Sequence, residues 1–227
     1  LKLKILGIET SSPIFSLCLN EDEETLREFS KRREIDGYGD AEIFKAAKDI
    51  LDSVGGENIG AIAVSIGPGM FTSLRVGLSL AKGIALVNNT PLAAINTLDI
   101  IGVQPSLPNL RMTAVVNAYR GEVYAAFYDS GKRVSDYLLV TPQKLLEMVG
   151  EQAIIIGPGV DAVAGAGPVR SDIELRRDEK YLPTAKGVVS LALPRIRKSD
   201  FDDIHFLEPY YIKKTDAERN YAKDNAL

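Results

Sequence analysis

The chain has 227 residues, enough for one large domain or two small ones with cores of their own. Its formal net charge of -4 excludes a broad basic face that binds nucleic acid unaided, so any RNA contact is expected to be shared with a partner. One cysteine, Cys18, excludes an internal disulfide, and no apolar run nears the roughly 20 residues of a membrane span, so a cytoplasmic protein off the membrane is expected.

In chain order, Lys4 to Glu9 reads as a buried strand, and the polar turn Thr10 to Pro13 leads to a second strand at Ile14 to Leu19. A third strand at about Thr25 to Ser30 completes a meander. Glu9 closes the first strand beside the hydroxyls of Thr10 and Ser11, a set that suits a phosphate or a metal-bound water and equally suits a hairpin turn. Lys31 to Gly39 is a charged loop. Asp40 can cap the next helix, in which Ile43, Phe44, Ala47, Ile50, Leu51 and Val54 share one apolar face before Gly55 and Gly56 end it.

Ala61 to Ile66 is a short apolar strand, interrupted by Gly67, Pro68 and Gly69. From Thr72 the period becomes helical, with Leu74, Leu78, Ala81 and Ala85 on one side. The free N–H groups and dipole at this helix start attract anions, and Gly67, Gly69 and Arg75 are candidates to hold one together with Glu9, Thr10 and Ser11. A cation in the first turns opposes the dipole, so Arg75 is expected to face an anionic ligand or a carboxylate of the protein. Ser73, Gly77, Ala81 and Ala85 recur every fourth residue, a stripe of small side chains that another backbone can approach closely. Gly77 and Gly83 each cost roughly 1 kcal/mol relative to alanine in a helix, which close packing should offset.

Pro91 to Ile95 adds a strand and Thr97 to Gly102 a short helix; a division between halves is expected there, at 1–102 and 103–227. The pattern then resumes with strands at Met112 to Asn117, Glu122 to Tyr128 and Arg133 to Val140. A helix starts at Pro142 behind the Thr141 cap, and a strand at Ala153 to Ile156 ends in Gly157, Pro158 and Gly159. Ile-Gly-Pro-Gly thus occurs at 66–69 and at 156–159, each time after three strands, a helix and a strand, which predicts two related α/β halves facing each other, with mixed sheets flanked by helices. Val160 to Val169 reads as loop or short helix, Thr184 to Arg197 as helix, Glu208 to Lys213 as a last strand or extended segment, and the tail from Thr215 as frayed or solvated.

ILGIETSS at 5–12, DAEIF at 40–44, SIGPGMFTSLRVGLSLAKGIAL at 65–86, PLAAINTLD at 91–99 and LEPYYIKK at 207–214 resemble the TsaB (YeaZ) proteins. The resemblance implies two lobes of the actin/Hsp70 ATPase-like (ribonuclease H-like) type. It also implies a non-catalytic role in making threonylcarbamoyladenosine beside the tRNA anticodon, as partner of the catalytic paralogue TsaD, with the ATPase TsaE joining and tRNA reached through the complex. It brings no cofactor of the chain's own and leaves ATP or ADP at the complex interface as an option. The family pairs its two N-terminal helices with those of TsaD in a bundle, so Ile43, Phe44, Ala47, Ser73, Gly77, Ala81 and Ala85 are the expected interface, with a homodimer through the same surface when no partner is present. A metal site of the paralogue's kind needs two histidines on a helix, and this chain has one histidine, His205. No catalytic or metal-ligating residue is therefore assigned. The competing reading is a nucleotide-dependent phosphotransferase or ATPase of the same fold, for which Glu9 is one acidic candidate without a second.

Overall fold

The computed structural model describes residues 2–33, 40–103 and 110–212. The first sheet contains β1 (Lys4–Glu9), β2 (Ile14–Glu21), β3 (Glu24–Arg32), β4 (Ala61–Gly67) and β5 (Leu92–Asn96), in the order β3-β2-β1-β4-β5. The tight turns of the meander force antiparallel pairing of β1, β2 and β3. The helical crossovers α1 (Asp40–Val54) and α2 (Phe71–Asn88) add β4 and β5 in parallel. After α3 (Thr97–Gly102) the second sheet forms from β6 (Arg111–Tyr119), β7 (Glu122–Asp129), β8 (Lys132–Arg133), β10 (Ile154–Ile156) and β11 (Glu174–Arg176), in the order β11-β10-β6-β7-β8, with β9 (Leu138–Val140) also paired to β7. The helices of the second half are α4 (Pro142–Met148), α5 (Val160–Ala164) and, last, α6 (Ala185–Ile196).

Substituting β6 for β1, β7 for β2, the β8/β9 arm for β3, β10 for β4 and β11 for β5 reproduces the first sheet strand for strand. The directions also match, since β6 and β7 are antiparallel while β6, β10 and β11 are parallel. The fold is therefore a duplicated α/β unit, as the repeated tetrapeptide predicts. Two elements differ from expectation: the strand expected at Arg133 to Val140 is broken into β8 and β9, and β11 lies where no strand is expected. Of the two readings of Val160 to Val169, Val160 to Ala164 forms the short helix. Of the loop expected at Lys31 to Gly39, Lys31 and Arg32 belong to β3 and 34–39 lie outside the described residues, as do 104–109, the end of the segment expected at Glu208 to Lys213 and the tail from Thr215.

Each sheet buries both faces. Leu6, Ile8, Leu17, Ile62, Val64 and Leu92 meet α1 and α2 on one face of the first sheet; Ile5, Cys18, Ala61, Ala63 and Ala93 meet Val188, Val189 and Ala192 of α6 on the other. The second sheet sets Met112, Ala114, Ala126 and Tyr128 against Leu98 and Ile101 of α3, and Val115, Val123 and Ile155 against α4 and α5. The helices thus cross between the sheets: α3, from the first half, covers the second sheet, and α6, from the second half, covers the first. Among the described residues no helix is long and apolar enough to cross a membrane.

Candidate functional site

β1 ends on Glu9, whose side chain folds back on the chain that follows. Its Oε1 accepts both the Ser11 N–H and the Ser11 hydroxyl at 2.5 Å. The Thr10 N–H donates to Ser65 Oγ of β4 at 3.4 Å, and the Met70 N–H at the start of α2 donates to the Ser11 carbonyl at 3.0 Å. This closeness demands glycine at 69, where a Cβ would stand 2.4 Å from the Ser11 carbonyl oxygen, and Gly67 takes a left-handed φ of 103°. Glu9, Thr10, Ser11, Gly67 and Gly69 are therefore brought together.

They are also sealed. Glu9, Thr10 and Ser11 are all buried, and Glu9 Oε2 and Thr10 Oγ1 find no hydrogen-bond partner among the described residues. Burial pushes the Glu9 carboxyl above the usual carboxylate range, against the opposing pull of the Ser11 donors. Among the described residues no three His, Cys, Asp or Glu converge as a metal site requires. Cys18 is likewise inert, its thiol pushed up to about 12 by burial.

Arg75 stands apart from this cluster, on the outside of α2. It lies over the Phe71 ring at 3.9 Å, and its Nε donates to the Tyr211 hydroxyl at 3.1 Å, while Phe71 and Tyr211 pack at 5.4 Å. Instead of a carboxylate, aromatic rings hold the guanidinium. The first turn of α2 contains no acid, and its N-cap, Met70, makes no side-chain cap.

The helix faces require a correction. Ile43, Ala47, Ser73, Ala81 and Ala85 are buried inside the chain's own lobe, and a Cβ at Gly77 would fall 2.2 Å from Thr10 Oγ1. The small-residue stripe faces inward and at Gly77 takes the Thr10 side chain, so in this chain it is covered by the chain's own lobe. The reason is steric: α2 crosses directly over the turn after β1, and only glycine leaves room there. Of the seven residues expected at an interface, Phe44 alone is exposed, at 48%. The outer faces instead carry Phe71 at 47%, Leu86 at 59% and Val87 at 84%, with Gly83 beside them opening on empty space.

One polar assembly escaped sequence reasoning. Asp99 of α3 accepts the Tyr128 hydroxyl at 2.7 Å and the Tyr137 hydroxyl at 2.6 Å, and pairs with Arg133 at 3.5 Å. Burial and the adjacent Asp99 carboxylate raise both phenols, which stay protonated donors. These groups line a cleft of about 500 Å³ between the lobes, with Ile66, Asn96, Arg195 and Tyr210 on its other walls. Its members come from positions 29 and 38 residues beyond Asp99, so no local spacing signals them.

Comparison with known proteins gives a family match over residues 41–221, to the model described as "TsaD: tRNA N6-adenosine threonylcarbamoyltransferase". The tRNA threonylcarbamoyladenosine biosynthesis protein TsaB of Escherichia coli (strain K12) is 27% identical over 93% of this chain and 95% of that protein. A tRNA N6-adenosine threonylcarbamoyltransferase of Anaplasma marginale is 38% identical over 42% of this chain, but the match spans only 32% of the transferase. The solved structure of YeaZ from Pseudomonas aeruginosa superposes with a TM-score of 0.73 at 24% identity, over 92% of this chain and 100% of that one.

Proposed function

This chain belongs to the family of the TsaD model and, within it, to the TsaB (YeaZ) proteins, and from that premise we propose that it serves threonylcarbamoyladenosine formation in tRNA as a non-catalytic subunit docked on a TsaD-like paralogue. The match to a TsaB protein runs nearly end to end, whereas the transferase match covers about a third of that enzyme, which supports the accessory role over the catalytic one. The observation that carries the docking reading is the exposed side of α1 and α2, which leaves Phe44 on α1 and, at the two ends of α2, Phe71 and the pair Leu86 and Val87 outside the core. Helices of a partner would pack along it ridge into groove. A TsaE-like ATPase and the tRNA then join through the complex, in the cytoplasm, with any ATP or ADP bound at the subunit interface and none required by this chain alone.

The test is co-purification with the paralogue. Leu86→Asp together with Val87→Asp should weaken the complex by at least about 100-fold, as expected when central apolar contacts become charged, while the melting temperature stays within about 2 °C. Unaltered complex formation would remove the docking surface. The isolated chain should not modify tRNA when supplied with threonylcarbamoyl-AMP. The phosphotransferase reading draws on the meeting of Glu9, Thr10 and Ser11 with Gly67 and Gly69, and magnesium-dependent ATP hydrolysis by the isolated chain at enzymatic rates would restore it.

A further inference from the structure

The segment after α6 runs from one face of the first sheet around its open edge to the other. Phe201 still packs with the α6 side. At the edge, the Asp202 N–H donates to the Leu92 carbonyl at 2.9 Å, its carboxylate accepts the Ala94 N–H at 2.7 Å, and Arg195 Nη1 donates to the Ala94 carbonyl at 2.9 Å. These bonds supply β5 with partners on the side no strand occupies. Ile204 and Leu207 then pack into the core shared by α1 and α2, and the Tyr210 N–H donates to the Ile66 carbonyl at the end of β4, at 2.8 Å.

Two adjacent tyrosines end this path and make contacts on opposite sides. Tyr210 meets Tyr137 of the second lobe edge-on at 5.4 Å, across the interlobe cleft that both line. Tyr137 is in turn fixed by Asp99 and by the Arg133 guanidinium 4.2 Å over its ring. Tyr211 holds Arg75 and Phe71 at the start of α2. We propose that residues 200–212 are a strap that fixes one lobe against the other and, through Tyr210 and Tyr211, sets the arrangement of Phe71 and Arg75, so that closure of the cleft and docking on α2 form one linked equilibrium. This rests on the docking surface proposed above. Linkage is reciprocal: a change that opens the cleft weakens docking, and a docked partner closes the cleft.

Hydrogen–deuterium exchange on the full chain tests the strap without any partner. Tyr210→Ala should raise exchange about tenfold both at 74–78 of α2 and at 132–140 of the second lobe, and Tyr210→Phe, which keeps the ring, should behave as the parent. The same substitution should weaken paralogue binding about tenfold although Tyr210 packs toward the cleft. Tyr137→Leu, on the opposite lip, should perturb the same two windows and serves if Tyr210→Ala does not fold. Faster exchange confined to 208–212, or to one window only, overturns the strap. Failure of the parent chain to bind the paralogue overturns the docking reading instead, and exchange still decides the strap.

Discussion

The two lobes start from one plan and diverge at the same turn. Gly67 and Gly157 adopt φ of 103° and 110°, and the glycine two residues later is pressed in each case against neighbouring backbone, Ser11 in the first lobe and Val116 in the second. Even the strand ends rhyme: Glu9 Oε1 accepts the N–H of Ser11, and Asn117 Oδ1 accepts the N–H of Tyr119. Yet the first turn launches the 18 residues of α2 and the second only the five of α5. After Gly159 the chain reaches Gly165, then Gly167 at φ 143° and Pro168, which stop a helix. α1 has 15 residues and its counterpart α4 seven, so the first lobe alone offers a pair of long helices with apolar residues left outside. Duplication supplied the scaffold, and helix length in one copy supplies the proposed docking face.

The sharpest way to break this contrast is inside α2, where two glycines have opposite environments. Gly77→Leu should cost more than about 3 kcal/mol and is expected to unfold the first lobe, because the side chain would displace Thr10 from a closed core. Denaturant unfolding checks this, and a stable variant would mean that α2 does not sit on the β1 turn as described. An intermediate effect is expected at Glu9, which has a buried acid where the second lobe has the amide of Asn117. Its carboxyl is raised in the folded state, so its contribution is fully present below the unfolded pKa and is lost as pH rises through the folded one. Stability should therefore fall as pH rises above the unfolded carboxyl's pKa, and Glu9→Gln should abolish that slope. Urea midpoints measured from pH 4 to pH 8 for both proteins decide it, and parallel curves would sink the assignment. The smallest effect belongs to Gly83→Ala, which should stabilise the isolated chain by about 1 kcal/mol through helix propensity alone, since nothing lies within 4 Å of the added methyl. Destabilisation would show that this face is packed in the free protein.

Much of this was legible in the sequence, for stated reasons. The meander, the glycine turn and the repeat follow from short apolar runs punctuated by glycine and proline, and the structure places them within a few residues of expectation. The inward side of α2 was legible, since Leu74, Leu78, Ala81 and Ala85, which share one side by period, are all buried. The place of its small-residue stripe was not, because Ser73 and Gly77 suit close packing within the chain or against another molecule alike. What chooses is Thr10, far away in sequence, beneath Gly77. β11 was hidden because three residues flanked by charge, Glu174 to Arg176, become a strand only by pairing with β10. The Asp99 cluster was invisible for the same kind of reason, since its hydroxyl donors lie in the other lobe, Tyr128 on β7 and Tyr137 just before β9.

The crossing of α3 and α6 has a consequence for ancestry and for engineering. A single unit that once closed on itself can be copied and fused, but after each copy lends a helix to its neighbour the halves can no longer be parted. Made separately, the half up to Gly102 would lack α6 and leave Ile5, Cys18 and Ala63 open to water, and the half from Arg111 would lack α3 over Met112, Ala114 and Tyr128.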